Sequence, residues 1–478
     1  MTCALLIRYL TGAALVAIIL STAAWFMRFE FDSSPYYYDE ADYMYAVSRG
    51  FAANWTDTPA FSALDLVRAG LSRGRDPNQR ANVSEWIRES GDMNGYRHWH
   101  GPLYYYLLIA SDAPARSEGS VHKLALFIVA LGVAVACFGA LWIFPGQLAP
   151  AFLAASLFGF EPAILVTTEL APHTLFGVLS LAALFCAARL FQSGARRHWY
   201  AALVLAGAAF CTMELAVALV LALLICGWLE RRRLQPDWPF AARSVLAFLA
   251  PVALLWPAGL YKLTFLKSYL AMAYLAVFRK GAWGDITFAG TWANRLAFSP
   301  VAWLLIAAAL ALYFVRPQLP GRRASLPFLI FGLAMLCAVL RVNAPGPRYT
   351  VPLIIPFLIF AACVLGNALG SVALPGRAAA LAALAALLIW EANAHTRHSP
   401  YPTFQRAVDL LAAVRNRGLE DKAVLAPWLD IPTLHYYFPQ AKLRGYLDLA
   451  SIPTELAAHR FDAIMYPGNP VEIRAVPR

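Results

Sequence analysis

The chain has 478 residues, of which 60% are hydrophobic and only 14% are charged. Soluble domains carry about 25% charged residues, so this composition excludes an ordinary soluble enzyme and indicates an integral membrane protein. The net charge of +11 would suit nucleic-acid binding, but the basic residues lie mainly in short loops between apolar runs. They therefore indicate topology, and we predict no nucleic-acid partner. All seven cysteines lie in or beside apolar segments, which predicts neither a disulfide framework nor a cysteine-based metal site.

The apolar runs predict about eleven membrane-crossing helices, each of roughly 20 residues. The first is a retained helix and not a signal peptide, because its apolar run is too long and lacks a cleavage site. The run 199–229 is too long for one crossing and has basic flanks, which predicts two short helices with Glu214 near the turn between them. The nine single helices span residues 4–26, 121–144, 149–168, 173–191, 242–262, 300–316, 325–341, 349–369 and 378–394.

The basic loops predict an orientation with the N-terminus inside and the C-terminus outside. Residues 1–394 then form the membrane domain, with long outer loops at 27–120 and 263–299. A helix that ends at Gly418, followed by the runs "KAVLAP" and "FDAIMYP", predicts a small soluble α/β domain over residues 395–478. The predicted fold class is an all-α polytopic membrane protein with a C-terminal α/β domain.

The outer loops contain further helical patterns that predict interfacial helices. "DEADYMYAVSRGFAANW", which begins at Asp39, has its apolar residues at helical spacing, and "HGPLYYYLLIA" and residues 265–278 are similar. Their tyrosines predict an aromatic belt at the level of the lipid headgroups. The polar, arginine-rich residues 57–95 predict a mobile excursion between two of these helices.

The polar side chains suited to chemistry fall on the predicted outer side of the membrane. They are Asp39, Glu40, His98, His100, Glu169, His173, Glu214, Arg279, Lys280, Asp285, Arg341 and Arg348. Nucleotide-activated donors are normally unavailable outside the cell, and the chain has neither a Walker A motif nor a dinucleotide fingerprint. An enzyme acting at this face therefore needs an activated donor that itself lies in the membrane.

Four stretches in this order carry a family resemblance: "YYYDEADYMYA", "HWHGPLYYYLL", "LAGAAFCTME" in the short hairpin, and "RYTVPLIIP". Together with the loop sizes they resemble the GT-C glycosyltransferases. The chain is most similar to the protein O-mannosyltransferase-like bacterial enzymes (family 39), with the lipid A aminoarabinose transferases as relatives. The Asp-Glu pair directly after the first helix is the most specific element of the resemblance.

The resemblance implies an inverting transferase that takes a sugar from a polyprenyl phosphate at the periplasmic face of a bacterial inner membrane. Asp39 matches the catalytic carboxylate, which deprotonates an acceptor hydroxyl, and Glu40 would orient it or join a metal site. A positioned base helps because a hydroxyl is a poor nucleophile at neutral pH. Cations stabilise the departing lipid phosphate, and the candidates are His100, Arg279, Lys280, Arg341 and Arg348.

The second outer loop departs from the family pattern. Relatives commonly have an Asp after the third helix, whereas this chain has Glu169 and then His173. Both residue types bind divalent metals, so Mg, Mn or Zn held with Asp39 or Glu40 is possible, and the need for a metal stays open. Glu214 stands where many relatives have a Lys.

Several alternatives remain open at this point. The acceptor is a lipid, a glycan or a protein, and the sugar is undetermined. A transporter or flippase of a lipid-linked sugar is the main rival, although transporters usually place polar groups near the bilayer midplane and show repeats, which this sequence lacks. An oligosaccharyltransferase or an O-antigen ligase is a second rival. Asp39 would otherwise only cap its helix, and Arg341 and Arg348 would only contact lipid headgroups.

Overall fold

The computed structural model describes most of the chain outside the longest outer loop. The described residues are 3–27, 35–48, 50–51, 100–112, 118–166, 170–261, 263, 266, 269, 287–340, 347–396, 402–446, 449–468 and 470–476. The predicted excursion at 57–95 and most of the predicted interfacial helix at 265–278 lie outside these residues.

Helices make up the membrane part of the protein. In chain order they are α1 (Cys3–Met27), α2 (Asp39–Ser48), α3 (Leu103–Asp112), α4 (Glu118–Ile143), α5 (Leu148–Gly159), α6 (Pro162–Val166), α7 (His173–Ser193), α8 (Arg196–Phe210), α9 (Ala216–Leu229), α10 (Arg231–Leu234), α11 (Trp238–Leu255), α12 (Pro257–Tyr261), α13 (Phe288–Phe298), α14 (Pro300–Val315), α15 (Arg322–Val339), α16 (Val351–Leu369) and α17 (Leu374–Thr396). A single 3₁₀ turn, Pro347–Tyr349, precedes α16.

Each predicted crossing contains helical residues in the structure, but 149–168 and 242–262 each contain two helices, and fewer spans than the predicted eleven qualify among the described residues. Within the described residues, eight spans are long and apolar enough to cross a membrane, and they lie in α1, α4, α5 with α6, α7, α11, α15, α16 and α17. The helices α13 and α14 pass the same test as a pair that is bent by 91°, which gives up to nine spans. The run 199–229 forms two shorter helices, α8 and α9, as its two basic flanks predict. The all-α polytopic membrane fold is therefore confirmed.

Burial separates the inner helices of the bundle from those that face lipid. In the most apolar 18-residue stretch of each span, 89% of α16 and 94% of α5 with α6 lie buried inside the protein. The corresponding share is only 11% in α11 and in α17. A helix that is apolar on all sides, such as α16 with its sequence "VPLIIPFLIFAACVLGNAL", belongs in the interior of a bundle. Because the 3₁₀ turn leads directly into α16, Arg348 is attached to a rigid inner helix.

The short helices α2 and α3 pack into the protein. Tyr43, Tyr104 and Tyr105 are 5%, 2% and 2% exposed, and the ring of Tyr43 lies 6.2 Å from that of Tyr104 and 5.7 Å from that of Tyr105. The prediction of an aromatic belt is therefore wrong for these three tyrosines. Helical spacing shows that one face of a short helix is apolar, but it does not show whether that face meets lipid or protein.

The C-terminal part is a small α/β unit. It contains α18 (Pro402–Asn416), β1 (Ala423–Pro427), α19 (Ile431–Tyr437), β2 (Lys442–Tyr446), α20 (Ile452–Ala458), β3 (Ala463–Tyr466) and β4 (Glu472–Ala475). The sheet order is β2-β1-β3-β4, with β1 parallel to β2 and β3, and β4 antiparallel to β3. The predicted strands "KAVLAP" and "FDAIMYP" are β1 and β3. Gly418 follows α18 with a φ of +62°, a left-handed conformation that suits glycine.

Candidate active site

Asp39 and Arg348 form an ion pair at the end of the bundle where α2 and α16 begin. Asp39 is the first residue of α2, and Arg348 lies in the 3₁₀ turn before α16. Arg348 Nη2 donates to Asp39 Oδ2 at 2.6 Å, and the two side chains are 10% and 23% exposed. Charged hydrogen bonds of this length are stronger than neutral ones. The contact brings together the predicted base and one predicted phosphate-binding cation, which are 309 positions apart in the sequence.

The aromatic ring of Tyr349 contacts the arginine of this pair. The guanidinium lies 4.9 Å above the centre of the Tyr349 ring, and Arg348 Nη2 also donates to the Tyr349 hydroxyl at 3.0 Å. The ring of His173, the first residue of α7, meets the Tyr349 ring edge-on at 5.4 Å. His173 is 2% exposed, and neither of its ring nitrogens has a hydrogen-bond partner among the described residues.

His100 lies close to His173 in the same cluster of side chains. Its Nδ1 lies 2.8 Å from Glu214 Oε2, and its ring lies 6.1 Å from the rings of both His173 and Tyr43. Burial, and then the nearby Asp39 carboxylate, raises the pKa of Tyr43, so this phenol keeps its proton at neutral pH. Glu214 lies between α8 and α9, as the sequence predicts. Its carboxylate holds a histidine here, whereas many members of the resembled family have a lysine at that place.

The Glu40 carboxylate accepts hydrogen bonds from the neighbouring backbone. Its Oε1 accepts a hydrogen bond from the backbone N–H of Leu170 at 2.9 Å and lies 3.1 Å from His122 Nε2. Its Oε2 accepts from the backbone N–H of Tyr37 at 3.4 Å. Glu40 thus links the start of α2 to α4 and to the segment before α7. These contacts favour a positioning role over direct participation in a reaction.

The structure brings together Asp39, His100, His173 and Arg348 through direct or shared contacts. Six other candidate residues from the sequence, His98, Glu169, Arg279, Lys280, Asp285 and Arg341, lie outside the described residues. Sequence reasoning missed the site residues Tyr43, His122 and Tyr349. The aromatic Tyr349 adjoins Arg348 in "RYTVPLIIP", and this adjacency is the one local signal that points to it.

The predicted metal site consists of Glu169 and His173, with Asp39 or Glu40. Among the residues that the structure describes, no group of three or more His, Cys, Asp or Glu side chains could hold a metal ion. His173 has free ring nitrogens but an arginine close by, and Glu169 is not described. The described side chains alone therefore do not form the predicted metal site.

Gly101 allows the segment of His100 to approach the turn after α8. A Cβ atom added at Gly101 would lie 2.2 Å from the backbone oxygen of Cys211, which is itself the hydrogen-bond acceptor for the N–H of Leu103. Gly101→Ala should therefore push His100 away from Glu214 and lower the free energy of unfolding by about 1–3 kcal/mol. Thermal unfolding in detergent measures this change.

Gly376→Ala is the matched control for this prediction. Gly376 is exposed on α17, and the nearest atom to an added Cβ is a flexible Val372 methyl at 3.2 Å. Alanine is favoured over glycine in a helix, so the control should unfold at an equal or higher temperature. Equal melting temperatures for Gly101→Ala and the wild type would contradict the tight packing at Cys211.

Comparison with known proteins gives a likeness at the level of fold. No protein-family model and no curated protein sequence matches the chain. Among solved structures, ArnT from Cupriavidus metallidurans matches in its apo state with a TM-score of 0.57 and 13% identity, over 94% of this chain and 89% of ArnT. The same protein bound to undecaprenyl phosphate matches with a TM-score of 0.57 and 14% identity, over 93% of this chain and 87% of ArnT.

A second solved protein has the same architecture. The oligosaccharyltransferase AglB from Archaeoglobus fulgidus, in complex with an inhibitory peptide and a dolichol-phosphate, matches with a TM-score of 0.55 and 12% identity. The match covers 90% of this chain and 64% of AglB. Both matched proteins are GT-C glycosyltransferases. The chain therefore has the GT-C fold, as the resemblance in its sequence predicts.

Proposed function

We propose that the protein transfers a sugar from a polyprenyl-phosphate donor to an acceptor hydroxyl with inversion at the anomeric carbon. The observation that carries this proposal is the ion pair between Asp39 and Arg348, which is 2.6 Å long and mostly buried. It places a potential base beside a potential phosphate-binding cation. The GT-C fold supports the same reaction, since the matched ArnT binds undecaprenyl phosphate and the matched AglB binds a dolichol-phosphate.

The donor phosphate would bind at Arg348. A guanidinium presents several N–H donors in a plane, which suits the oxygens of a phosphodiester. A phosphate that takes over the hydrogen bond of Arg348 would release the Asp39 carboxylate for the acceptor. His100 lies near enough to contribute a further donor, and its bond to Glu214 fixes the orientation of its ring. Arg279, Lys280 and Arg341 remain proposed phosphate ligands from the resemblance alone.

Asp39 would act as the general base. The acceptor hydroxyl transfers its proton to the Asp39 carboxylate while its oxygen forms a bond to the anomeric carbon. The bond between that carbon and the phosphate oxygen breaks, and its electron pair leaves with the polyprenyl phosphate. Attack occurs on the face opposite to the leaving group, so the configuration inverts. Arg348 stabilises the negative charge that builds up on the leaving phosphate.

The proposal also covers the two domains, the orientation of the site and the role of Glu40. We assign residues 1–394 to the catalytic membrane domain and residues 395–478 to a soluble domain on the acceptor side. The site would face the periplasm from a bacterial inner membrane, because the basic loops lie at the opposite ends of the helices. Glu40 would hold the start of α2 in place through Leu170 and His122.

The test uses the purified protein in lipid with a panel of labelled polyprenyl-phosphate sugars and a membrane extract as acceptor. Release of the sugar and its appearance in a lipid, glycan or protein fraction would establish the transferase and name its donor and acceptor class. Movement of intact labelled donor across a vesicle membrane without release would instead favour the flippase. Chelation, followed by addition of Mg, Mn or Zn, decides whether a metal is required.

A further inference from the structure

The three residues before Asp39 are each hydrogen-bonded to one short segment of the C-terminal unit, residues 430–437. The bonds run from Tyr36 N to the Tyr437 hydroxyl at 2.8 Å, from the Tyr37 hydroxyl to Asp430 Oδ1 at 3.0 Å, and from Tyr38 N to Thr433 Oγ1 at 2.9 Å. The ring of Tyr45, further along α2, lies 4.7 Å from the ring of His435. The start of α2 is therefore held by a part of the chain that is almost 400 positions away.

Tyr38 has an unusual backbone conformation within this segment. Its φ of +52° lies in the left-handed region, which residues with a side chain rarely adopt. Such a conformation persists where the surrounding structure enforces it, and it is common at functional sites. Tyr38 directly precedes Asp39, the first residue of α2, so its conformation decides the direction in which the helix and the Asp39 carboxylate point.

The residues of the C-terminal unit that make these bonds are themselves rigidly held. Thr433 is fully buried and Asp430 is 1% exposed. Arg406 of α18 donates through Nε to Asp430 Oδ1 at 3.2 Å. Burial, and then the Asp430 carboxylate, raises the pKa of Tyr37, so its phenol keeps the proton that it donates. The bonds from Tyr37 and Tyr38 therefore end on buried residues of the C-terminal unit, Asp430 and Thr433.

We propose that Thr433 is a positioning residue for Asp39, so that the C-terminal unit sets the geometry of the reaction centre. The hydroxyl of Thr433 holds Tyr38 in its left-handed conformation, and this conformation directs Asp39 toward Arg348 and the acceptor. This inference rests on the proposed function, in which Asp39 is the base. It differs from an acceptor-binding role because Thr433 acts through the backbone of Tyr38, the residue before Asp39.

The first experiment compares Thr433→Val with Thr433→Ser. Valine keeps the shape but removes the oxygen that accepts the Tyr38 N–H, whereas serine keeps it. Thr433→Val should lower kcat by about tenfold to a hundredfold, because a small misplacement of a reacting group costs this much. The KM for the donor should change little, and serine should restore kcat to near the wild-type value. A loss of kcat with serine equal to that with valine would overturn the proposal.

Thr454→Val is the matched control. Thr433 and Thr454 are both the third residue of a short helix that begins with Ile-Pro-Thr, in α19 and α20. Thr454 is exposed, so its replacement should leave kcat unchanged. Equal losses of kcat in Thr433→Val and Thr454→Val would show a general effect on the C-terminal unit and would overturn the specific role.

A second substitution tests the conformation itself. Glycine adopts the left-handed region without strain, so in a Tyr38→Gly background the Thr433 hydroxyl should matter less. We expect Thr433→Val to lower kcat by less than about twofold in that background, a non-additivity expected only for coupled residues. Full additivity of the two substitutions would contradict the proposal.

Hydrogen–deuterium exchange separates this inference from the proposed function. Thr433→Val should speed exchange at the start of α2, while Thr433→Ser and Thr454→Val should not. Unchanged exchange with Thr433→Val would overturn the positioning role, whatever the activity. A wild-type protein without any transferase activity would refute the proposed function, and the exchange rates would still decide whether Thr433 holds the loop.

Discussion

Asp39→Asn should lower the rate of sugar transfer by about 10²–10⁴-fold, the usual contribution of a general base. The amide cannot take the proton of the acceptor hydroxyl, but it keeps the size of the carboxylate and an oxygen that can accept from Arg348. We therefore expect the variant to fold and to bind the donor lipid. Initial rates of sugar release with saturating donor measure the effect, together with binding of the unreacted donor.

Two further variants make this result specific. Glu40→Gln changes the neighbouring carboxylate, which holds backbone N–H groups, and it should lower the stability more than the rate. Asp409→Asn, at a partly exposed position of the C-terminal unit, keeps an oxygen that accepts from Gln405 and should have no effect on either. A rate for Asp39→Asn equal to that of the wild type would keep the transferase but remove Asp39 as its base. A larger loss of rate with Glu40→Gln would move that role to Glu40.

The fold was predictable because the membrane restricts what each segment can do. Runs of about 20 apolar residues have few alternatives to spanning helices. The length of the run 199–229 and its two basic flanks together predicted the hairpin of α8 and α9. The bend of 91° between α13 and α14 was not predictable, since Ser299 between them and Pro300 at the start of α14 do not indicate its angle.

The candidate site was only partly predictable, for a different reason. Asp39 and Arg348 both flank apolar runs that end on the same side of the membrane, so their approach could be expected. Their direct contact depends on how α2 packs against the bundle, which no local pattern contains. The pairing of His100 with Glu214, 114 positions apart, depends on the close approach at Gly101 in the same way.

For three tyrosines, the helical spacing of the sequence predicted the wrong surroundings. Tyr43, Tyr104 and Tyr105 fit an interfacial belt by spacing, yet their rings fill the space between α2, α3 and the bundle. A tyrosine is suited to both places, because its ring is apolar and its hydroxyl is polar. Only contacts between distant segments decide between them, and those contacts are properties of the folded chain.

Arg348→Gln should lower kcat by about 10²–10³-fold, the cost of removing one donor that stabilises charge in a transition state. It should also weaken donor binding, because the phosphate loses its principal cation. The guanidinium contacts Asp39, the Tyr349 hydroxyl and the face of the Tyr349 ring. Arg348→Lys keeps the charge but loses the planar geometry, and it should be intermediate. Steady-state rates and binding of polyprenyl phosphate measure both effects.

The controls for Arg348 use a similar arrangement at the other end of the bundle. Arg322 also lies over a tyrosine, 4.5 Å from the centre of the Tyr313 ring, so Arg322→Gln removes a comparable contact between an arginine and a ring far from the site. It should leave both kcat and donor binding unchanged. If Arg348 acts through the phosphate, its replacement in an Asp39→Asn background should still weaken donor binding. If Arg348 serves only to hold Asp39, that second substitution should change nothing, and the proposed phosphate site would be wrong.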